Sequence, residues 1–288
     1  MSTTPQRRGP QRRNLAWITR PVTVVVIVAI LVLGAAAGIT AKLTTQNNVA
    51  VTPSTTCHPQ HAFVPAFFYA SGIWQQAADT KPVPTYMILD ISGLGAGSSP
   101  VGHFQSIVKK ERAAGVTILG YSSTGYGSRP LSQIEADVRH YKAWYGVTDM
   151  FLDEVKGVTS QLPYYRKLAG YIRGYTPGTS IWINPGAYPD PSYMSVSNVV
   201  MAFEGSYAEY HNIDVPSWAF DYSSDRFANT IYATSGSQVN SAINLSKTRN
   251  AGYVYVTNGS GGNPYSSLPS YWSSEDSIIT QGCPNSAP

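Results

Sequence analysis

The segment Met150-Phe151-Leu152-Asp153-Glu154 closes an apolar run with two adjacent carboxylates, and Val200-Met201-Ala202-Phe203-Glu204 repeats the pattern further along the chain. Strands that stay apolar until their carboxyl ends and then turn acidic are how a β/α barrel builds a carboxylate site, because its chemistry sits at those ends. Paired carboxylates cleave glycosidic bonds: one serves as nucleophile or cation stabiliser, the other as acid and then base. Acids ending strands four and six of a barrel face one mouth with a single strand between them. An acid at a strand end can also merely begin a solvated loop, but two matched cases in a chain with 12% charged residues weigh against that. The pleat sends Asp153 and Glu154 to opposite sides, so one of them points fully into the centre, and the sequence does not choose which.

Other predicted strand ends bring polar and aromatic groups to the same mouth: Tyr69, Asp90, Ser92, Tyr121, Thr124, Tyr126, Asn184, Thr257 and Asn258, joined by Tyr207 just past the second acidic strand. Of these, Tyr69, Asp90, Tyr121, Thr124, Tyr126, Asn184, Tyr207 and Asn258 are the expected substrate contacts. The chain holds 20 Tyr and 6 Trp. Aromatic rings with polar tips suit sugars, which offer a C–H face for stacking and hydroxyls for hydrogen bonds, although most of these rings belong to the core.

Competing chemistries lack their residues. The glycine-rich run Ser92-Gly93-Leu94-Gly95-Ala96-Gly97-Ser98 has neither the lysine nor the spacing of a phosphate-binding loop; it reads as a flexible rim loop or as a tight turn. His58, His61, His103, His140 and His211 are scattered, so neither a metal site nor any cofactor is expected. No serine elbow is followed by an acid and a histidine.

The elements that must position the acids are legible as an alternation. Strands are expected near Val64–Tyr69, Tyr86–Ile91, Thr117–Ser122, Asp149–Asp153, Ser180–Asn184, Val199–Glu204, Ala228–Ala233 and Tyr253–Thr257. Helical spacing of apolar residues runs through Phe104–Ala114, Leu131–Tyr145, Tyr164–Tyr175 and Gln238–Asn250. Eight strands alternating with helices imply parallel pairing with right-handed crossovers, and hence an α/β fold closed as a (β/α)8 TIM barrel. The first helix, the segment near Pro191–Ser197 and the seventh strand carry the weakest patterns.

Ahead of the barrel, Pro21 to Ala41 is 21 residues without a charge, and five arginines but no acid precede it. A helix of that length spans roughly 30 Å, the thickness of a bilayer's hydrocarbon core. The expected layout is a cytoplasmic basic tail (1–20), a transmembrane signal-anchor helix (21–41), an exported linker (42–60), the barrel (61–283) and a short tail (284–288), with the barrel outside a single-pass cell membrane. A cleaved signal peptide ending near Ala35-Ala36-Ala37 is the alternative, and it leaves the barrel secreted. The formal charge of +4 comes from the amino-terminal region: beyond residue 42 there are 14 Lys and Arg against 16 Asp and Glu. No basic nucleic-acid surface follows from that. Cys57 and Cys283 flank the barrel, where a disulfide would join its two ends in an oxidising compartment. A monomer is the working expectation.

The segments Val64–Tyr69, Leu119–Arg129, Trp144–Glu154, Asn184-Pro185-Gly186 and Phe203-Glu204 together resemble the spherulation-specific family 4 proteins, which overlap glycoside hydrolase family 135. The resemblance runs from about Val64 to Ile279. It implies a barrel hydrolase acting on galactosamine-containing exopolysaccharide, cutting α-1,4-linked N-acetylgalactosamine internally. It also implies Asp153 as nucleophile or cation stabiliser, Glu204 as acid/base, and Glu154 as a neighbour that positions substrate or sets the proton affinity of the others. Participation by a substrate N-acetyl group is an open variant. A non-catalytic carbohydrate-binding barrel and a hydrolase of another cell-wall or capsular glycan are the rival readings.

Overall fold

A computed structural model describes residues 60–81 and 84–280. The expected tail, membrane helix and linker over 1–59, together with Cys57 and Cys283, lie outside the described residues. Among the described residues no helix is long and apolar enough to cross a membrane.

Eight parallel strands close into a barrel in sequence order: β1 (His61–Pro65), β2 (Tyr86–Leu89), β3 (Thr117–Ser123), β4 (Asp149–Asp153), β5 (Ile181–Ile183), β6 (Val199–Ser206), β7 (Phe227–Tyr232) and β8 (Tyr253–Val256). Closure is made by β1 against β8, with His61 opposite Tyr253 and Ala62 opposite Val254. Around the strands lie α1 (Ser71–Asp79), α2 (Gly102–Ala113), α3 (Leu131–His140), α4 (Leu162–Tyr175), the short α5 (Tyr207–Tyr210), α6 (Val239–Thr248) and α7 (Trp272–Thr280). The TIM barrel expected from the alternation is therefore present. It is irregular where the patterns were weakest: a 3₁₀ turn at Pro191–Ser195 takes the place of a helix between β5 and β6, while α1 and β7 do form.

The first strand starts and stops earlier than its composition suggests. Only His61–Pro65 pairs, because Pro65 has no N–H for the ladder and Phe67 N–H turns back onto the Pro65 carbonyl at 2.9 Å. Residues 66–70 rise instead over the mouth. The long helix expected over Leu131–Tyr145 is α-helical only to His140 and finishes in a π turn, Tyr141–Tyr145, before Gly146 caps it at φ 66°. That turn lays Tyr141 flat on the barrel, fully buried, its hydroxyl donating to the Leu89 carbonyl at 2.9 Å. Burying a ring of this kind removes roughly 150–250 Å² from water, about 4–6 kcal/mol at ~25 cal/mol per Å². The approach exists because position 120 is glycine: a Cβ there would sit 2.7 Å from the Tyr141 ring.

The helix α6 is followed by a left-handed residue that is not a glycine. Asn250 takes the left-handed turn at φ 58°, its amide donating to the carbonyls of Ala219 and Tyr222. Gly252 serves close packing instead, since a Cβ there would meet the Ser224 carbonyl at 2.6 Å. At the amino-terminal end of the barrel, Trp182 packs among Phe63, Tyr86 and Tyr253 at ring separations of 5.6, 4.9 and 4.8 Å. Much of the aromatic content is thus core, and this plug leaves the carboxyl-terminal mouth as the open end.

Candidate active site

At that mouth a small pocket is lined by Pro65, Phe67, Ile88, Phe151, Asp153, Asn184, Met201, Glu204, Thr230 and Tyr265. Its floor is apolar and its upper wall carries the two acids. Phe151 and Asp153 share the inner face of β4, as alternate residues must. Glu154 faces away: its carboxylate accepts from Ser123 Oγ at 2.5 Å, and its backbone is left-handed at φ 53°.

Glu204 reaches the same pocket through a defect in the sheet. Between β6 and β7 the pairing steps from Met201 opposite Ala228 to Phe203 opposite Asn229, so Ala202 is an extra, unpaired residue. Regular alternation from Met201, which lines the pocket, would put Phe203 inside and Glu204 outside. The bulge reverses this. Glu204 then lies opposite Thr230, also in the pocket. Phe203 packs outward on Tyr210 with ring centroids 4.6 Å apart, and Gly205 leaves room for its ring, which a Cβ would meet at 2.5 Å.

Asn184 joins the two acids. Its Nδ2 donates to Asp153 Oδ1 at 2.8 Å and to Glu204 Oε2 at 2.6 Å, while its Oδ1 accepts from Gly186 N at 2.9 Å, which fixes the amide's orientation. The backbone is held as firmly, with Asn184 N–H on the Leu152 carbonyl and Glu204 N–H on the Gly186 carbonyl. Two oxygens bound to one nitrogen can be no further apart than the sum of those bonds, roughly 5 Å, the carboxyl separation of retaining glycosidases. Each acid also has its own tyrosine. Tyr121 donates to Asp153 Oδ2 at 2.8 Å and Tyr265 to Glu204 Oε1 at 3.0 Å, and Phe67 meets both rings edge-on.

Burial, then the charge of Glu204, pushes the Asp153 carboxyl up to about 7. No lysine or arginine pairs with either acid among the described residues. Two carboxylates this close, with one of them buried, hold one proton between them near neutrality. The hydroxyls of Tyr121 and Tyr265 are driven well above their ordinary range, each by burial first and then by the acid it faces, so both remain donors.

The remaining residues singled out from the sequence divide. Tyr69 and Tyr126 are 61% and 59% exposed on the rim, Tyr69 stacked on His103 at 4.4 Å. Tyr126 belongs to Gly125-Tyr126-Gly127, three successive left-handed residues tied to the acid loop by Tyr126 N–H on the Glu154 carbonyl at 2.7 Å. Such backbone is costly and persists where its surroundings enforce it. Tyr207 opens α5, partly buried, edge-on to His211 at 4.4 Å. Asp90 accepts from the N–H groups of Ser92 and Gly93, shaping the turn after β2. Thr124 is fully buried, its hydroxyl within 3.0 Å of the Asp153 and Glu154 carbonyls and the Tyr165 hydroxyl, so it braces the acids from behind. Asn258 accepts from Ser270 N–H and braces its own loop.

The glycine-rich run is a tight turn around a buried carboxylate. Asp137 accepts from Ala96 N–H and Ser122 Oγ and pairs with Arg129 at 2.8 Å, and a Cβ on Gly95 would collide with it. Among the described residues no group of three or more His, Cys, Asp or Glu side chains converges to hold a metal. Sequence reasoning passed over Tyr265, Phe67 and Thr230. Tyr265 lies in a polar, glycine-rich connection after β8, and its position after the last strand of a barrel was the one available signal.

Fold and site define a class: a parallel (β/α)8 barrel with a hydrogen-bonded carboxylate pair at the carboxyl ends of its strands. The chain belongs to spherulation-specific family 4, whose model matches residues 61–279. Spherulin-4 of Physarum polycephalum is 29% identical over 242 residues, covering 78% of this chain and 72% of that protein. Sph3 of Aspergillus clavatus, crystallised in complex with GalNAc, matches with a TM-score of 0.68 at 24% identity, over 77% of this chain and 98% of its own. The chitinase RmChi1 of Rhizomucor miehei matches at 0.51 and 10% identity, over 76% and 100%. At these identities the two structures speak for the fold.

Proposed function

We propose that this protein is a glycoside hydrolase that cuts an amino-sugar polymer internally, at α-1,4-linked N-acetylgalactosamine or galactosamine. The observation that carries the reading is the pair Asp153 and Glu204, joined through one Asn184 nitrogen above an apolar floor. Family membership and the GalNAc complex of Sph3 support the choice of sugar. The exposed rings of Tyr69 and Tyr126 lie outside the pocket, which supports one sugar unit meeting the acids while its neighbours lie across the rim.

In the proposed reaction Asp153 attacks the anomeric carbon or stabilises its positive charge, and Glu204 gives its proton to the leaving oxygen and then activates water. The close pair favours retention of the anomer. Burial favours the shared proton on Asp153; for this division of labour it moves to Glu204, as happens when a sugar hydroxyl donates to Asp153. We further propose that the 21–41 helix tethers the barrel to the outer face of the cell's own membrane, which keeps the enzyme on nearby polymer.

The test is incubation with defined α-1,4 galactosamine and N-acetylgalactosamine oligomers, read by product mass and anomer. Internal cleavage by the wild type, with at least hundredfold loss in folded Asp153→Asn and Glu204→Gln, supports the proposal. Binding without any new reducing end would make the barrel a carbohydrate-binding protein. An activated aryl leaving group separates the roles, because it rescues the variant that lost the acid and leaves the other inactive.

A further inference from the structure

We propose that Tyr265 is a positioning residue of this reaction: its hydroxyl, delivered by the connection between β8 and α7, fixes Glu204 through Oε1 as Tyr121 fixes Asp153 through Oδ2. The inference rests on the hydrolase reading for its kinetic consequence and on geometry alone for the interaction.

Each acid has two oxygens, and all four are spoken for. Asn184 holds one oxygen of each from a single nitrogen and so cannot distinguish them. Only the outer oxygens differ: Asp153 Oδ2 meets a tyrosine from β3, and Glu204 Oε1 meets one from a loop. The loop is built to hold its tyrosine still. Tyr265 N–H donates to Asn263 Oδ1 at 3.0 Å, and Asn263 Nδ2 reaches the Phe67 carbonyl at 3.4 Å. Ala233 N–H, just past β7, takes the Gly259 carbonyl at 2.8 Å. The Pro264 carbonyl lies where a Cβ on Gly259 would be, 2.0 Å away. The ring itself is 5% exposed, edge-on to Phe67 at 5.9 Å and 6.3 Å from Tyr255. Packing explains a ring there; it does not explain a hydroxyl aimed at a carboxylate.

The groups facing Glu204 are Asp153 from β4, Asn184 after β5, Thr230 from β7 and Tyr265, with Glu154 acting on Asp153 from behind and Tyr232 acting on Tyr265 from the end of β7. Among the described residues Tyr265 is therefore the one side chain that donates to Glu204 and not to its partner acid. Removing it destabilises ionised Glu204 selectively, and removing the Tyr121 hydroxyl does the same to Asp153.

The experiment compares Tyr265→Phe with Tyr255→Phe, a neighbouring buried tyrosine that touches neither acid. The full chain carries six glutamates, few enough to follow Glu204 by carboxyl ¹³C resonance in glutamate-labelled protein, assigned by its loss in Glu204→Gln. The expected result is a Glu204 titration midpoint raised by about one pH unit or more in Tyr265→Phe and unmoved in Tyr255→Phe. In the cleavage assay the basic limb of the pH profile rises with Tyr265→Phe and the acid limb with Tyr121→Phe. A Glu204 midpoint unchanged in folded Tyr265→Phe overturns the proposal, whatever the activity does. A shifted midpoint in a protein that cleaves none of the oligomers leaves the positioning role standing and removes the hydrolase reading.

Discussion

Asp153 and Glu204 accept hydrogen bonds from the same nitrogen, the Asn184 side-chain amide, at 2.8 and 2.6 Å. One donor between two acids sets their spacing without occupying the space above them. Asn184→Ala removes that spacer and leaves each acid with one donor fewer, so both ionised forms are less favourable. The expected outcome is a fall in kcat/KM of about tenfold to hundredfold and an upward shift of the acid limb of the pH profile. Wild-type kinetics in this variant would show that β4 and β6 space the acids without help.

The bulge at Ala202 makes a sharper prediction. Deleting that residue makes the pairing between β6 and β7 regular while Met201 stays opposite Ala228, Phe203 opposite Asn229 and Glu204 opposite Thr230, so Glu204 still faces the pocket. Far-ultraviolet circular dichroism should retain the barrel's signal, and cleavage should stay far above the level of Glu204→Gln. A folded deletion variant as inactive as Glu204→Gln would mean that the bulge itself, and not the pairing with β7, sets the position of Glu204.

Stability should depend on pH with a definite sign. Burial raises Asp153 and Glu111 to about 7, helped by Glu204 and Asp79 respectively, raises Asp276 to about 6 and holds Glu275 well above the carboxylate range. Between about pH 4 and 7 the folded chain keeps protons that the unfolded chain has released. These groups favour the fold fully below that window and lose their contribution as pH climbs through it. Melting followed by calorimetry should give a higher Tm at about pH 5 than at about pH 8, by roughly 2–4 °C for each kcal/mol involved. Asp153→Asn should flatten the slope. A Tm that climbs across the same range would contradict the assignment.

The rim tyrosines should act on polymer length. Tyr69 and Tyr126 are exposed rings outside a pocket that holds neither of them. Replacing either by Ala should raise KM for long chains by about threefold to tenfold and leave the shortest cleavable oligomer nearly unaffected. Equal losses on long and short substrates would place these rings outside the polymer's path.

Sequence alone was enough for the barrel, because short apolar runs alternating with helical spacing admit few other closed arrangements. It also marked Asp153 and Glu204, since an acid ending a greasy strand is conspicuous in so uncharged a chain. Strand ends were less legible: β1 stops at Pro65 for want of a donor, and the stop of α6 falls to Asn250 because its amide finds two carbonyls on a distant turn. A hydroxyl or amide at a strand end serves a backbone as readily as a sugar, as the bonds of Thr124 to two carbonyls and of Asn258 to Ser270 N–H illustrate. What tertiary structure decided was orientation. Whether Glu204 faces the pocket depends on one unpaired residue, and whether it meets Tyr265 depends on a loop folding back after the last strand. Side-chain direction in a sheet alternates with pairing, and pairing is a property of two strands, which no single run of residues contains.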